Sequence, residues 1–95
     1  MKARLLYYQK ARFQDRFLME MTIYEVDSAR YPDGVKYGLL VLDLKTRRRI
    51  LMDNHHPKGH HVHLDEAELP YEYRSDEQLI EDFKRLVLNH MGVAI

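Results

Sequence analysis

Two stretches of apolar residues constrain the fold more than any other feature of this 95-residue chain. In residues 17–26 apolar side chains recur at every second position, at Phe17, Met19, Met21 and Ile23. Successive side chains of a strand point to opposite faces, so this spacing predicts a strand with one face on a core and one in water. Residues 35–44 are apolar on both faces, which is typical of a central strand.

Shorter segments around these two stretches predict further strands. Residues 4–13 are rich in strand-forming types, and the polar break Gln14-Asp15-Arg16 after them has hairpin length. Residues 48–53 and 60–64 predict two more short strands. In residues 70–73 two tyrosines alternate with other residues, so we also expect a short edge strand before the final segment.

A helix is predicted only near the end of the chain. Ser75 followed by Gln78 forms a capping-box pattern, and Gly92 is typical of a helix end. Between them apolar residues recur at helical spacing: Leu79, Ile80, Phe83, Leu86, Val87 and Met91. The order of elements predicts one α+β domain over residues 1–95. It would contain an antiparallel sheet of four to five strands with one C-terminal amphipathic helix packed on it.

The composition excludes several classes of protein. There are no cysteines, which excludes disulfides, thiolate nucleophiles and thiolate metal sites. The longest strongly apolar run, residues 38–42, is far shorter than the roughly 20 residues of a membrane helix, so we expect no membrane association and a cytoplasmic protein. The chain has no glycine-rich phosphate loop and no serine nucleophile motif, which argues against kinases, dehydrogenases and acyl hydrolases.

The charges cancel over the whole chain but are unevenly distributed. Residues 1–63 carry twelve Lys and Arg against seven Asp and Glu, whereas residues 64–95 carry three against eight. Such asymmetry can mark a surface for a polyanion beside a surface for a basic partner. Alternatively, the sheet and the helix carry complementary charges within one fold, and the sequence leaves both interpretations open.

Chemistry is indicated by a histidine-rich turn, residues 53–63. It holds five of the six histidines, at His55, His56, His60, His61 and His63. For any single one of them a structural role is favoured, and His60 would point to the core with Val62. For the group of five, a function is favoured, because imidazole exchanges protons near neutral pH and also binds metals.

In the leading hypothesis the turn cleaves RNA without a metal. His55, His61 and His63 are the candidates for proton transfer, and Asp53 would orient one imidazole. The substrate's own 2′-hydroxyl would act as nucleophile. Cations nearby would stabilise the phosphate charge, and Arg49 and Lys58 are the candidates for that contact.

A metal site is the alternative chemistry for the same residues. On an extended segment His61 and His63 project from one face, and His55 or His56 from across the loop would complete a three-histidine site for a divalent metal. Asp53 would be a further ligand or would hold one of the imidazoles in place. No metal or other cofactor is favoured from the sequence, since both chemistries need exposed, closely spaced imidazoles. A metal-dependent nuclease or a metal sensor therefore remains open.

Several of these segments resemble the TumE-type toxin family of small prokaryotic proteins. The resemblance covers roughly residues 36–91 and rests on Lys36-Tyr37-Gly38, on Arg49 to His56 and on Gly59 to Leu64. Its most specific part is the Asp-Asn-His strand end that precedes a loop and a His-x-His element. In this chain Gly59 stands before His60 and His61, where a proline is commoner in the family.

The resemblance implies both a setting and a set of site residues. It carries over Asp53, Asn54, His55, His61 and His63, with Asn54 as a substrate-binding candidate. It also implies a toxin–antitoxin module with a helix-turn-helix antitoxin as partner, and RNA is the target in the leading hypothesis. A non-catalytic module that binds a basic partner through the acidic C-terminal third is a further alternative. Exposed strand edges near the N-terminus are compatible with a homodimer formed by sheet extension.

Overall fold

The computed structural model describes residues 2–95, which form one antiparallel sheet and one helix. The elements are β1 (Lys2–Phe13), β2 (Phe17–Asp27), β3 (Val35–Asp43), β4 (Arg49–Asp53), β5 (His61–Leu64), β6 (Ala67–Pro70) and α1 (Asp76–Met91). Each strand pairs with the one before it, so the order across the sheet is β1-β2-β3-β4-β5-β6. The α+β prediction is confirmed, and the sheet has six strands where four to five were expected.

The edge strand predicted at residues 70–73 is wrong in its position. The sixth strand ends at Pro70, and the chain is irregular from Tyr71 to Ser75. The reason is the helix: the phenol of Tyr71 donates to Asp82 and that of Tyr73 to Asp76, each over 2.7 Å. Both rings therefore turn towards α1 instead of extending the sheet.

One face of the sheet packs against α1 and forms the core. Met21, Leu39 and Met52 stand opposite one another on β2, β3 and β4, and each is at most 1% exposed. The helix adds three buried side chains, Leu79, Phe83 and Val87. The apolar side chains at helical spacing in α1 and those at every second position of the strands thus pack together in a single apolar layer.

The opposite face of the sheet, which we call the open face, carries the other half of each strand. Residues directly opposite in an antiparallel pair share a face. The register therefore places Thr22, Gly38, Asp53 and His61 in one row across β2 to β5. His63 lies in the next row of this face. The histidines of β5 and the end of β4 thus meet on the face that α1 does not cover.

The ends of α1 agree with the prediction from sequence. The hydroxyl of Ser75 accepts from the backbone N–H of Gln78 over 3.1 Å, and Gly92 adopts a left-handed φ of 69°. The Gln78 amide donates to Asp82 and does not reach back to Ser75, so only half of the capping box forms. Within the described part of the chain, no helix has the length and apolarity needed to cross a bilayer.

The turn between β3 and β4 depends on the buried carboxylate of Asp43. Arg16 donates two hydrogen bonds to it, of 2.9 and 2.8 Å, and the backbone N–H groups of Lys45 and Thr46 donate to the same side chain. The hydrogen bonds from Arg16 hold the pKa of Asp43 well below its ordinary value. The folded state therefore binds a proton at this carboxylate less tightly than the unfolded chain does.

We expect Asp43→Asn to lower the midpoint of urea unfolding at pH 7. The stabilisation from Asp43 is complete above the carboxyl pKa of the unfolded chain, about 3.9, and is lost as the pH falls below it. The gap between wild type and variant should therefore shrink between pH 4 and pH 2. Asp15→Asn, in the exposed hairpin turn, is the control and should leave the midpoint unchanged. An equal gap at every pH would contradict the ionic origin.

Candidate active site

A carboxylate and an imidazole form the centre of the histidine-rich turn. Asp53 ends β4 and stands directly opposite His61, the first residue of β5. Nε2 of His61 lies 3.0 Å from Oδ1 of Asp53. On the other side of His61 the register places Pro70 of β6, and the His61 side chain is only 8% exposed. This imidazole is therefore largely buried, whereas both chemistries considered from the sequence need exposed imidazoles.

The hydrogen bonds of His61 restrict the state of its ring. Its Nδ1 lies 2.7 Å from the carbonyl oxygen of Gly59, which can only accept, so Nδ1 donates. Nε2 then faces the Asp53 carboxylate, which is also an acceptor when ionised. A neutral imidazole has one N–H, so both contacts are satisfied when both ring nitrogens carry a hydrogen, when the Asp53 carboxyl itself donates to Nε2, or when a cation lies at Nε2.

A second imidazole lies against the first. The rings of His61 and His63 are 4.7 Å apart at their centroids and nearly perpendicular, at 83°. His63 is half-buried, and its ring forms no hydrogen bond among residues 2–95. One ligand atom from each of Asp53, His61 and His63 lies within 4.8 Å of the other two. We call these three residues the open-face cluster. It combines a fixed imidazole, a free one and a carboxylate.

A surface ion pair borders the open-face cluster. Lys58 donates to both oxygens of Glu68, over 2.9 and 3.2 Å, and this bond lowers the pKa of Glu68. Oε1 of Glu68 lies 3.9 Å from Nε2 of His61. Lys58, predicted to contact phosphate, is thus engaged by a carboxylate, and an anion would have to displace Glu68 to reach it.

A comparison with protein families decides the identity of the chain. A family model described as toxin TumE matches residues 3–91. The chain belongs to the TumE toxin family. No curated protein and no solved structure matches it. The family predicted from residues 36–91 is confirmed and extends over nearly the whole chain. Membership supports a toxin role for this protein, and a toxin family implies an antitoxin partner in general.

The structure gives Asn54 of this TumE protein two partners inside the fold. Its Oδ1 accepts from the backbone N–H of Tyr37 over 2.9 Å, and its Nδ2 donates to the carbonyl of Val35 over 2.8 Å. The residue is 4% exposed. The amide therefore acts as an extra rung between β4 and β3, and it points away from the surface where a substrate would bind.

His55 lies apart from the open-face cluster. Its backbone N–H donates to Oδ1 of Asp53 over 3.2 Å, while its exposed ring lines a cavity on the far side of Asp53. The third ligand-type residue beside His61 and His63 is therefore Asp53, which was expected as a further ligand, and the structure does not bring His55 to them. The chain leaves the β4 ladder at Asn54, which turns His55 away from β5.

His60 packs on the core side of the loop. Its ring is stacked on Tyr73 at 5.0 Å and on Tyr37 at 5.6 Å. Nε2 donates to Asp33 over 2.7 Å, so Nδ1 accepts the hydroxyl of Tyr37 over 2.8 Å. Burial raises the pKa of Tyr37, which keeps this phenol protonated as a donor. His60 thus connects the β2–β3 loop to the β4–β5 loop.

The cations of the TumE protein differ in their availability. Arg49 is exposed on the open face, four residues before Asp53 on the same strand, or about 13 Å away along it. Sequence reasoning missed Arg30 and Lys36, which line one cavity with His55 and His56 and form no salt bridge within residues 2–95. Arg30 belongs to no motif, and Lys36 belongs to one only through the resemblance of Lys36-Tyr37-Gly38, so only the folded arrangement reveals that they share a cavity.

We expect Asn54→Ala to destabilise the protein by about 2–3 kcal/mol, because it leaves a buried N–H and a buried carbonyl without partners. Asn89→Ala makes the same substitution on the exposed face of α1 and should change stability by less than about 0.5 kcal/mol. Urea unfolding measures both values. A loss below about 1 kcal/mol for Asn54→Ala would mean that the amide is not a structural rung.

Proposed function

We propose that this toxin acts by cleaving RNA at the open-face cluster. The observation that supports the proposal best is the fixation of His61 between the Gly59 carbonyl and the Asp53 carboxylate, beside an imidazole with no partner of its own. A pair of imidazoles in different protonation states can supply an acid and a base at once. RNA needs both, because its 2′-hydroxyl must lose a proton and its leaving oxygen must gain one.

In the proposed reaction the two imidazoles have different roles. His63 removes the proton of the 2′-hydroxyl, whose oxygen then forms a bond to phosphorus. The bond from phosphorus to the 5′-oxygen breaks, and the Nε2 proton of His61, which must first leave the Asp53 carboxylate, passes to that oxygen. The products are a 2′,3′-cyclic phosphate and a 5′-hydroxyl. Before the reaction Asp53 holds the ring of His61 in place through its contact with Nε2.

Cations near the cluster would bind the phosphates of the RNA. Arg49 and Lys58 remain candidates, although Lys58 must first leave Glu68. His55, exposed beyond Asp53, would act on the same strand of RNA as a donor to phosphate or as an alternative proton carrier. Electrostatic contacts of this kind bind single-stranded RNA without sequence preference.

A metal-dependent nuclease is the second candidate, and one contact favours it. An imidazole that donates Nδ1–H to a carbonyl and points Nε2 at a carboxylate has the orientation of a metal-ligating histidine. Asp53, His61 and His63 would be the ligands of a divalent ion such as zinc or manganese. When bound, such an ion would supply an activated water as the nucleophile in place of the 2′-hydroxyl.

The antitoxin implied by the family is proposed to be a helix-turn-helix protein. This rests on the resemblance of residues 36–91 and not on a surface of the structure. A homodimer through the β1 edge stays a prediction. Lys2, Arg4, Lys10 and Arg12 all lie on β1, which carries no acidic residue, so pairing two copies of this strand would bring like charges together.

We expect purified, untagged protein to cleave single-stranded RNA in the presence of EDTA and to leave 2′,3′-cyclic phosphate ends. His63→Ala should slow cleavage by at least about a hundredfold, which is the usual contribution of one proton-transfer group. His90→Ala, an exposed histidine at the end of α1, is the matched control and should keep full activity. Full activity of His63→Ala would contradict the proposal.

A deoxy substrate separates the two chemistries. An RNA oligonucleotide with one 2′-deoxy position at the cleavage site should resist cleavage if the 2′-hydroxyl is the nucleophile. Cleavage of that oligonucleotide, abolished by EDTA and restored by one metal, would support the metal-dependent candidate instead. Elemental analysis of the untagged protein would then show one ion per chain, and Asp53→Asn would lower that content.

A further inference from the structure

A glycine occupies the middle of the central strand, where it weakens a sheet. Gly38 lies at the fourth position of β3, between Thr22 on β2 and Asp53 on β4. Glycine in a strand interior adds backbone entropy to the unfolded chain and packs no side chain. Such a position commonly marks a bulge, a close backbone contact or the approach of a ligand.

The structure excludes the first two explanations for Gly38. The pairing of β3 with β2 runs through this residue without a shift, and the pairing of β3 with β4 reaches its last pair here without a shift, so there is no bulge. A Cβ atom built at Gly38 meets nothing within 4 Å, so no other backbone needs the space. Its φ is not among the positive values of the described chain, so the conformation itself does not demand glycine. The approach of a ligand remains.

A cavity of about 480 Å³ lies over Gly38 on the open face. This volume falls within the range of roughly 300–1,000 Å³ found for small-molecule sites. Thr22, Tyr24, Lys36, Asp53 and His55 are among the residues that line it, and Tyr24 is 38% exposed. We call it the Gly38 cavity. It has a side-chain-free floor, an aromatic ring in its wall and a carboxylate that also belongs to the open-face cluster.

A second cavity adjoins the first and is rich in cations. Lys36 and His55 line both, and Arg30 and Ser28 line the second alone. Among the residues that line it there is no acidic side chain. The amino group of Lys36 lies 5.9 Å from the ring centre of Tyr31, on the side of this cavity. An uncharged planar group could therefore lie in the Gly38 cavity while an anion lies in the second cavity. Lys36, which lines both, would stand between the two groups.

We propose that the Gly38 cavity binds the base of a single-stranded RNA nucleotide next to the cleaved phosphate, and that Lys36 and Arg30 bind a phosphate of that strand. The inference deepens the proposed function and rests on it for the position of the cleaved bond. Bases are flat and stack on aromatic rings, which is the main mode of single-strand binding. Tyr24 supplies the ring, and Asp53 and Thr22 supply polar groups for the base edge.

The test is a titration of the full 15N-labelled chain with 5′-mononucleotides. Binding is monitored by two-dimensional NMR. We expect AMP, GMP, CMP or UMP to shift the amide signals of Gly38 and of its neighbours on β2 and β4. Shifts confined to other parts of the protein, or none at 10 mM of every nucleotide, would overturn the proposal. A phosphate salt alone should move only the signals around Lys36 and Arg30.

Gly38→Val fills the cavity while keeping a strand-forming residue in unstrained backbone. Its unfolding midpoint should equal or exceed that of the wild type, whereas nucleotide affinity should fall by about tenfold or more. Tyr24→Leu should show a similar loss. Tyr8→Leu is the matched control, because Tyr8 is exposed opposite Thr22 but does not line the cavity. Unchanged affinity in Tyr24→Leu and Gly38→Val would also overturn the proposal.

The same variants distinguish this inference from the proposed function. If the wild type binds nucleotides at Gly38 but cleaves no RNA, the proposal that the cavity binds a base is supported and the cleavage proposal fails. If the wild type cleaves RNA and Gly38→Val cleaves it with the same KM and kcat, the cleavage proposal is supported and base binding in the Gly38 cavity is contradicted. Both are supported when Gly38→Val raises KM for RNA by about tenfold and remains folded.

Discussion

The side-chain amide of Asn54 connects the end of β4 to the backbone of β3, and the geometry of the site depends on this contact. The register between these strands ends at the pair Gly38 and Asp53, while β3 continues to Val35. The N–H of Tyr37 and the carbonyl of Val35 would be buried without partners if the amide were absent. Asn54 satisfies both, so the chain can leave the sheet there and still hold Asp53 opposite His61.

Because successive side chains of a strand point to opposite faces, the core residues lie on one face of the sheet and the candidate catalytic residues on the other. Odd-numbered positions of β2 as far as Ile23, and those of β3, carry the core against α1, and even-numbered positions carry the open face. Asp53, His61 and His63 lie on the open face, where a substitution disturbs the core least. His60 and Asn54 belong to the structural side of the same loop, since each has its polar atoms satisfied inside the fold. Five neighbouring histidines thus divide into one support, one fixed imidazole and others that are partly or fully accessible.

The sequence predicts much of this fold because most elements have a strong local signal. The period of two in residues 17–26 and the capped helical pattern after Ser75 need no tertiary information. The sixth strand has no such signal: Ala67, Glu68 and Pro70 are poor strand formers, and this edge forms only because β5 offers it a partner. The tyrosines at 71 and 73 suggest a strand locally, but partly buried hydrogen bonds to the helix carboxylates decide their place.

The candidate site is less predictable because it depends on register. Spacing alone shows that His61 and His63 share a face, but the pairing of Asp53 with His61 follows from how β4 and β5 align. Likewise, nothing in the sequence shows that Lys58 is engaged by Glu68, or that Lys36 and Arg30 meet at one cavity. Side chains far apart in sequence acquire these relations only when the loops between strands have closed.

The most direct test of the open-face cluster is the survival of cells that express the protein. Colony counts are taken after induction of wild type, of His63→Ala and of His90→Ala at equal soluble levels without an antitoxin. We expect wild type and His90→Ala to reduce the counts by orders of magnitude and His63→Ala to leave them near those of uninduced cells. If His63→Ala is as toxic as wild type, toxicity does not depend on this imidazole, and the account of the cluster is wrong.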